Sequence, residues 1–137
     1  MSRDRLVPKY YRAADGSEPV RDFLRSLRKQ ERVLVENWIL RIGALCTLKN
    51  PDLPEPQSRH IEGDMRELRV QAAGNNYRIL YAHSRRMVIL LHAFRKSTQE
   101  TPDAEKRAFY VRWKDFKARM NARPRRRPSP LGVGEAP

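Results

Sequence analysis

The fold is decided by Met65-Arg-Glu-Leu-Arg-Val-Gln-Ala72, Tyr77-Arg-Ile-Leu-Tyr-Ala82 and Met87-Val-Ile-Leu-Leu-His-Ala-Phe94. The β-branched and aromatic residues in these three segments fit the pleated, half-buried surface of a sheet. The segments are separated by Gly74-Asn-Asn76 and by His83–Arg86, and Gly-Asn and Asn-Asn steps favour tight hairpin turns. The sequence therefore predicts an antiparallel meander. Its third strand is apolar on both faces and is expected to be the most buried.

Helical periodicity precedes the predicted meander. Apolar residues recur at helical spacing from Val20 to Leu27 and again from Leu34 to Leu45, which predicts two helices. The short β-prone run Val7–Tyr11 predicts a strand before them. The proline-rich segment Lys49–Arg59 predicts a surface loop between the second helix and the meander.

A third helix is predicted after the meander, from Ala104 to about Met120. Its inward side chains are expected to be Ala108, Val111, Phe116 and either Phe109 or Trp113. The element order predicts an α+β domain at residues 1–121, with a small antiparallel sheet of three or four strands. Two helices lie before this sheet and one after it, and we expect all of them on one face.

Positive charge is the main compositional feature of the chain. Its 137 residues carry 29 Lys+Arg against 16 Asp+Glu, a formal net charge of +13. Such an excess is typical of a protein that binds a polyanion, with nucleic acid as the first candidate. Residues 122–137 are rich in Arg and Pro and are predicted to be a disordered tail. The Arg125–Arg127 cluster of this tail either contacts phosphates or remains solvated.

Several classes of protein and site find no support in the sequence. No apolar run approaches the roughly 18 residues of a membrane span, and the N-terminus has no apolar signal-peptide stretch, so we expect a cytoplasmic protein. The single cysteine, Cys46, cannot form an internal disulfide and is expected to be a small buried hydrophobe. His60, His83 and His92 do not have the usual metal-ligand spacing, so we expect neither a metal nor a cofactor.

Charged residues on the predicted meander are the main candidates for chemistry. Strand alternation places Glu67 and Arg69 on one face, and a two- or four-residue turn at Gly74-Asn75 adds Arg78 to that face. One interpretation is a cross-strand ion pair that neutralises itself. The other is a phosphate-binding site with one acid/base group.

Further cations follow at the end of the third strand. Whether Arg95 or Lys96 faces the arginines depends on the turn at residues 83–86, which the sequence does not fix. A cluster of cations without metal ligands suits RNA cleavage by the RNA's own 2′-hydroxyl. That reaction needs a base for the 2′ proton, positive charge for the pentacoordinate phosphate and an acid for the leaving 5′-oxygen.

Three other residues of the meander carry two interpretations each. His92 lies inside the most apolar strand, where a histidine is either a hydrogen-bonded core residue or a functional group. Tyr77 and Tyr81 alternate along the middle strand, where aromatic residues either belong to the core or stack on bases.

Four motifs occur together in the chain: Glu18-Pro-Val-Arg-Asp-Phe-Leu24, Gly63-Asp-Met-Arg-Glu-Leu-Arg69, Asn76-Tyr-Arg-Ile-Leu-Tyr81, and Leu90-Leu-His-Ala-Phe-Arg-Lys96 with Thr98-Gln-Glu-Thr-Pro102. In this order they resemble the phage-derived Gp49-like/HigB branch of the RelE toxin superfamily. The resemblance covers residues 8–115 and leaves the Arg/Pro-rich tail outside.

The resemblance implies the toxin of a type II toxin–antitoxin pair. Its relatives are ribosome-associated, metal-independent mRNA endonucleases that a DNA-binding antitoxin silences. By motif position, Arg78 falls on the arginine that contacts the scissile phosphate in RelE-like enzymes. Lys96 falls near their second phosphate-binding cation.

The chain also departs from the pattern of these relatives. RelE-like enzymes carry lysines on the first meander strand where this chain has Met65 and Glu67, so Glu67 is predicted to replace their general base. The Gp49-like branch typically has a second lysine after the third strand, and here that residue is Ser97. The chemistry is then either redistributed to Arg95, His92 or Glu67, or weak.

The sequence thus predicts an endoribonuclease toxin that blocks translation. The predicted catalytic residues are Glu67, Arg78, Lys96 and His92, and the predicted RNA- or phosphate-binding residues are Arg66, Arg69 and Arg95. The expected partners are a helix-turn-helix antitoxin, the ribosome and mRNA, with no membrane. The alternative is a non-catalytic basic RNA- or DNA-binding protein of phage or mobile-element origin.

Overall fold

The computed structural model describes residues 4–97, 101–125 and 127–137, so motif residues 98–100 and Arg126 of the tail cluster lie outside the described part. The elements in chain order are β1 (Val7–Tyr10), α1 (Pro19–Arg25), α2 (Lys29–Leu45), β2 (Ser58–Glu62), β3 (Met65–Ala72), β4 (Asn75–Ser84), β5 (Met87–Lys96) and α3 (Asp103–Asn121). None of the described helices combines the length and the apolar content needed to cross a lipid bilayer.

The strands form one mixed sheet in the order β1-β5-β4-β3-β2. β3, β4 and β5 are consecutive antiparallel neighbours, which confirms the predicted meander. β1 pairs with β5 in parallel, with Val7 beside Met87. The α+β class is therefore confirmed, but the sheet has five strands rather than three or four, and one edge of it is parallel.

β2 is the strand that sequence reasoning missed. It begins at Ser58, inside the segment predicted to be a loop, and among the described strands it pairs only with β3. An edge strand has one neighbour and keeps polar side chains, so Ser58-Arg-His-Ile-Glu62 lacks the apolar pattern of a buried strand. The prolines just before it reinforced the interpretation as a loop.

A two-residue turn, Ala73-Gly74, joins β3 to β4 and sets their register. Both residues have positive φ, 52° and 78°, as in the type I′ turns that match the twist of a hairpin. Glycine takes this conformation without a Cβ clash. The turn places Arg69 opposite Arg78 and Glu67 opposite Leu80, which confirms the predicted shared face.

Helices cover both faces of the sheet, whereas the sequence predicted one covered face. α1 and α2 pack on the first face through a cluster that contains Val20, Leu24, Val35, Ile39, Ile42, Leu68, Ile79 and Leu90. α3 packs on the opposite face through a cluster that contains Met65, Leu80, Ile89, Leu91, Phe109, Trp113 and Phe116. The prediction failed because the apolar runs of β4 and β5 serve both faces, and each face needs its own cover.

Buried polar aromatic groups and the cysteine belong to the α1/α2 face. Tyr77 and Tyr81 are 3% and 1% exposed, which confirms their interpretation as core residues. The Tyr77 hydroxyl donates a hydrogen bond to Glu31, and the Tyr81 hydroxyl donates one to Asp52. Cys46 is buried as predicted, and burial raises the pKa of its thiol to about 11.

The inward face of α3 differs from the expected one. Phe109, Trp113 and Phe116 are all buried, at spacings of four and three residues. Val111 is 69% exposed, because a position two residues after Phe109 points away from the sheet in a helix of 3.6 residues per turn. The prediction of an inward Val111 was therefore wrong, and both aromatic alternatives are inward.

The end of the tail, which the sequence predicts to be disordered, lies against the free edge of β1. The Arg12 amide donates to the Pro130 carbonyl (2.8 Å), and the Gly132 amide donates to the Tyr10 carbonyl (2.7 Å). Ala136 is 2% exposed and its amide donates to the Pro8 carbonyl (2.8 Å). These backbone bonds are independent of side-chain hydropathy, so composition did not reveal them.

A substitution at Gly132 tests the packing of the tail on β1. A Cβ at this position would lie 2.5 Å from Glu18 Oε1 and 3.1 Å from the Tyr10 carbonyl oxygen. We expect Gly132→Val to displace the tail, to lower the free energy of unfolding by about 1–3 kcal/mol and to accelerate hydrogen exchange at the Ala136 amide. The neighbouring Val133→Ala is the control, since Val133 is 84% exposed. Wild-type stability and exchange in Gly132→Val would contradict this packing.

Candidate functional site

The sheet face that α3 covers at one end carries the charged residues at the other end. Directly paired residues share a face, and the register pairs Glu67 with Leu80, Arg69 with Arg78 and Lys96 with Asn76. These pairs lie next to one another along the strands. The side chains of Glu67, Arg69, Arg78 and Lys96 are therefore on one face, and we call these four residues the cluster.

Glu67 lies between the two arginines and is 1% exposed. Its Oε1 is 3.4 Å from Arg78 Nε and 3.6 Å from Arg69 Nε. Its Oε2 accepts a hydrogen bond from the Thr101 hydroxyl at 3.1 Å, just before the start of α3. The cross-strand ion pair predicted as one interpretation is thus formed, but two guanidinium groups share a single carboxylate and the pair does not neutralise itself.

Arg78 is the most enclosed cation of the cluster, with a side chain 9% exposed. One of its terminal nitrogens donates to the Tyr77 carbonyl at 3.0 Å, whereas Nε has no hydrogen-bond acceptor among the described residues. Burial lowers the pKa of Arg78, the Arg69 charge lowers it further, and Glu67 opposes both effects. The guanidinium therefore keeps unmet capacity for an anion.

Lys96 extends the positive charge onto β5. Its pKa is lowered, first by burial and then by the charges of Arg78, Arg69 and Arg59, while Glu67 acts in the opposite direction. A lysine in this environment loses its proton more easily than one in water. The structure thus answers the question left open by the turn at residues 83–86: Lys96 faces the arginines and Arg95 does not.

Sequence reasoning missed two residues of the site. Arg59 on β2 pairs with Glu67 on β3 and so lies on the same face. It belonged to the predicted loop, and only recognition of β2 as a strand would have revealed it. Thr101 was known as a motif residue, but nothing in the sequence indicated that its hydroxyl reaches Glu67.

Two cavities flank the cluster. One has a volume of about 280 Å³ and is lined by Pro56, Gln57, Arg69, Val70, Gln71, Asn76 and Arg78. The other has a volume of about 350 Å³ and is lined by Arg59, His60, Ile61, Glu67, Lys96, Thr101, Asp103 and Lys106. The cluster contributes Arg69 and Arg78 to the first cavity and Glu67 and Lys96 to the second.

Two predicted phosphate-binding residues lie on the opposite face of the sheet. Arg66 pairs through Nε with Asp52 Oδ1 at 2.8 Å, and this carboxylate also accepts the Tyr81 hydroxyl bond. Arg95 is exposed and sits opposite Tyr77, on the α1/α2 face. The structure does not bring these two residues to the cluster, because each is one residue out of phase with a cluster member on its strand.

His92 shares the face of the cluster but is enclosed by α3. Arg112 donates a hydrogen bond to its Nδ1 at 2.7 Å, and its Nε2 lies 3.0 Å from Glu105 Oε1. The ring stacks on Phe94 with centroids 5.7 Å apart. Burial lowers the pKa of His92, and the Arg112 charge adds to this effect against the contribution of Glu105. The interpretation as a hydrogen-bonded core residue is the one that these contacts support.

The matched segment of one protein-family model contains this site. The model described as "Phage derived protein Gp49-like (DUF891)" matches residues 22–114, from α1 through the sheet to the middle of α3. No curated protein matches the chain.

Removal of the Glu67 charge tests the role of this carboxylate in holding the cluster together. We expect Glu67→Gln to lower the free energy of unfolding by about 3–5 kcal/mol, because enclosed Arg78 then has no counter-charge. Chemical denaturation measures the change. The control is Glu36→Gln on α2, where Glu36 is 3.9 Å from Arg32 and both side chains are about a third exposed. This substitution should lower the free energy of unfolding by less than about 1 kcal/mol. Equal losses in both variants would contradict this role.

The pH dependence of stability tests the enclosure of His92. Its folded-state pKa lies below the ordinary 6.5, so the unfolded chain binds the proton first as the pH falls. The free energy of unfolding should therefore begin to decrease below about pH 6.5 and should continue to decrease until the folded-state pKa is passed. His92→Gln should flatten this decrease, whereas His60→Gln, at an exposed position, should preserve it. An identical pH profile in His92→Gln and wild type would refute the assignment.

Proposed function

The chain belongs to the Gp49-like family of phage-derived proteins, a toxin-like family of the RelE superfamily, and from this premise we propose that it is a toxin that cleaves mRNA. In this proposal the enzyme is a metal-independent endoribonuclease, acts at the ribosome and blocks translation. It is the toxin of a type II toxin–antitoxin pair, and its counterpart is a helix-turn-helix antitoxin.

One observation carries the proposal: the cations of four neighbouring strands converge on one part of a sheet face. Arg59, Arg69, Arg78 and Lys96 come from β2, β3, β4 and β5, and they surround a single carboxylate. A structural ion pair needs one cation for one carboxylate, so most of this charge is uncompensated. The three guanidinium groups outnumber the carboxylate whether or not Lys96 is charged, and fixed positive groups of this kind suit the extra negative charge of a pentacoordinate phosphate.

The reaction that fits this site uses the nucleophile of the substrate. The 2′-oxygen of the RNA attacks the adjacent phosphorus, and the bond from phosphorus to the 5′-oxygen breaks. A base takes the 2′ proton, and the 5′-oxygen leaves with a proton from water in the open cavity. The products are a 2′,3′-cyclic phosphate and a 5′-hydroxyl. Arg69 and Arg78 hold the phosphate oxygens during this step.

Lys96 is the proposed base, and Glu67 is a positioning residue. The pKa of Lys96 is lowered, so more of it is in the neutral form that accepts a proton. Glu67 is almost wholly enclosed and contacts Arg69, Arg78 and Thr101, so it can accept a proton only by giving up these contacts. This assignment moves the role of base from Glu67, which the sequence predicted, to the neighbouring lysine. His92 is assigned to the packing of α3.

The enclosure of Glu67 also favours a second candidate function. If Lys96 does not act as a base, the same cations serve only to hold phosphates, and the chain is a non-catalytic RNA- or DNA-binding protein. The two candidates differ in one product: an endoribonuclease creates discrete new 5′ ends in cellular mRNA after induction, and a binding protein creates none.

Substitutions on β4 and β5 test the proposed function. We expect expression of the wild-type chain to arrest growth, and we expect Arg78→Ala and Lys96→Ala to relieve the arrest and remove the new mRNA 5′ ends. The loss of one phosphate-binding cation should reduce cleavage about 100-fold or more. Primer extension on total RNA measures the ends.

Arg95→Ala is the matched control, because Arg95 is adjacent to Lys96 and points to the opposite face. It should arrest growth as the wild type does. Undiminished arrest by Arg78→Ala and Lys96→Ala would show that the site is assigned wrongly. Arrest without new 5′ ends would favour the binding protein.

A further inference from the structure

The 280 Å³ cavity beside the cluster has a wall of amide side chains. Gln71 on β3 lies opposite Asn76 on β4, and this pair is two residues along the strands from the Arg69–Arg78 pair. Strand alternation therefore puts all four side chains on the same face. Gln57 reaches the cavity from the chain before β2, where its carbonyl accepts a hydrogen bond from the Arg69 amide at 2.7 Å. The two arginines are therefore shared between the cluster and this cavity.

The three amides have hydrogen-bonding groups without partners. No side-chain hydrogen bond of Gln57, Gln71 or Asn76 is formed within the described residues 4–97, 101–125 and 127–137. Gln57 and Asn76 are half-buried, and Gln71 is exposed. Each amide offers a donor and an acceptor side by side. These accessible amides are free to hydrogen-bond to a ligand that enters the cavity, in addition to the two arginines.

We propose that this cavity is a nucleobase subsite that binds the base adjacent to the phosphate held by Arg69 and Arg78. The inference rests on the proposed function for the phosphate and adds the recognition of one base. A base presents donors and acceptors in one plane, and Asn and Gln side chains match such edges. Pro56 provides apolar surface for the flat face of the ring.

Other ligands fit the cavity less well. An isolated phosphate would use the arginines but not the amides, since an anion accepts hydrogen bonds and leaves the amide oxygens unmatched. A purely apolar ligand would bury three unsatisfied amides. A base linked to a phosphate uses both sets of groups at once, which is the combination that this cavity provides.

Binding measured without cleavage tests the subsite separately from the enzymatic activity. The probes are four fluorescent trinucleotides of 2′-O-methyl RNA that differ only in the central base and that lack a free 2′-hydroxyl at the scissile position. We expect the full chain to bind the preferred base on the order of tenfold more tightly than the least preferred one. In the double variant Gln71→Ala/Asn76→Ala this ratio should fall to about one. Fluorescence anisotropy measures the affinities.

Two further variants keep the outcome interpretable. Gln71→Ala alone changes an exposed side chain, so it should fold as the wild type does and still reduce the discrimination. Asn37→Ala, at an exposed position on α2, removes an amide elsewhere and should leave the discrimination intact.

Each result decides the subsite. Equal binding of the four probes by the wild type, undiminished discrimination in the double variant, or no binding of any probe would overturn it. If the wild type discriminates among the four bases and the double variant does not, the subsite is supported even if no RNA is cleaved. In that case the proposed endoribonuclease would fail while the nucleobase subsite would remain.

Discussion

The charge of Glu67 is the constraint on which the rest of the site depends. Four cations from neighbouring strands would repel one another on a partly enclosed surface, and one enclosed carboxylate between Arg69 and Arg78 offsets part of this repulsion. The same carboxylate accepts the Thr101 hydroxyl bond, which ties the start of α3 to the middle of the sheet. Glu67 therefore contributes both to the electrostatics of the site and to the attachment of the chain just before α3. Because two guanidinium groups share one carboxylate, positive charge remains available to an external anion.

The α3 face of the sheet is divided along its strands. Its apolar end is covered by the aromatic side of α3, and its charged end lies beyond the N-terminus of that helix and stays open. Residues 130–136 cover the free edge of β1, at the far side of the sheet from the cluster. Burial that stabilises the fold and exposure that permits binding are thus assigned to different parts of one sheet. This division explains how a small domain supports both a core and an open cationic surface.

Local pattern predicted the centre of this structure and failed at its edges. The turn after Ala72 and the period-two alternation of β3 and β4 were sufficient to place Arg69 and Arg78 on one face, because register follows from turn length. The side of Lys96 needed the register of β5, which the sequence left open. Arg59 was hidden because an edge strand is polar. The covering of β1 by the tail includes backbone hydrogen bonds, which leave no trace in side-chain composition. The face chosen by α3 is a tertiary property that helical periodicity does not encode.

The chemistry of the RNA product tests the central claim most directly. The full chain, incubated with ribosomes that carry a defined mRNA, should cut that mRNA, and mass spectrometry of the upstream fragment should find a 2′,3′-cyclic phosphate. A 2′-deoxy substitution at the scissile nucleotide should prevent the cut, because the 2′-oxygen is the nucleophile of the proposed reaction. A 3′-hydroxyl product, cleavage of the deoxy substrate, or RNA that stays intact would contradict the claim that the cations around Glu67 form a metal-independent ribonuclease site.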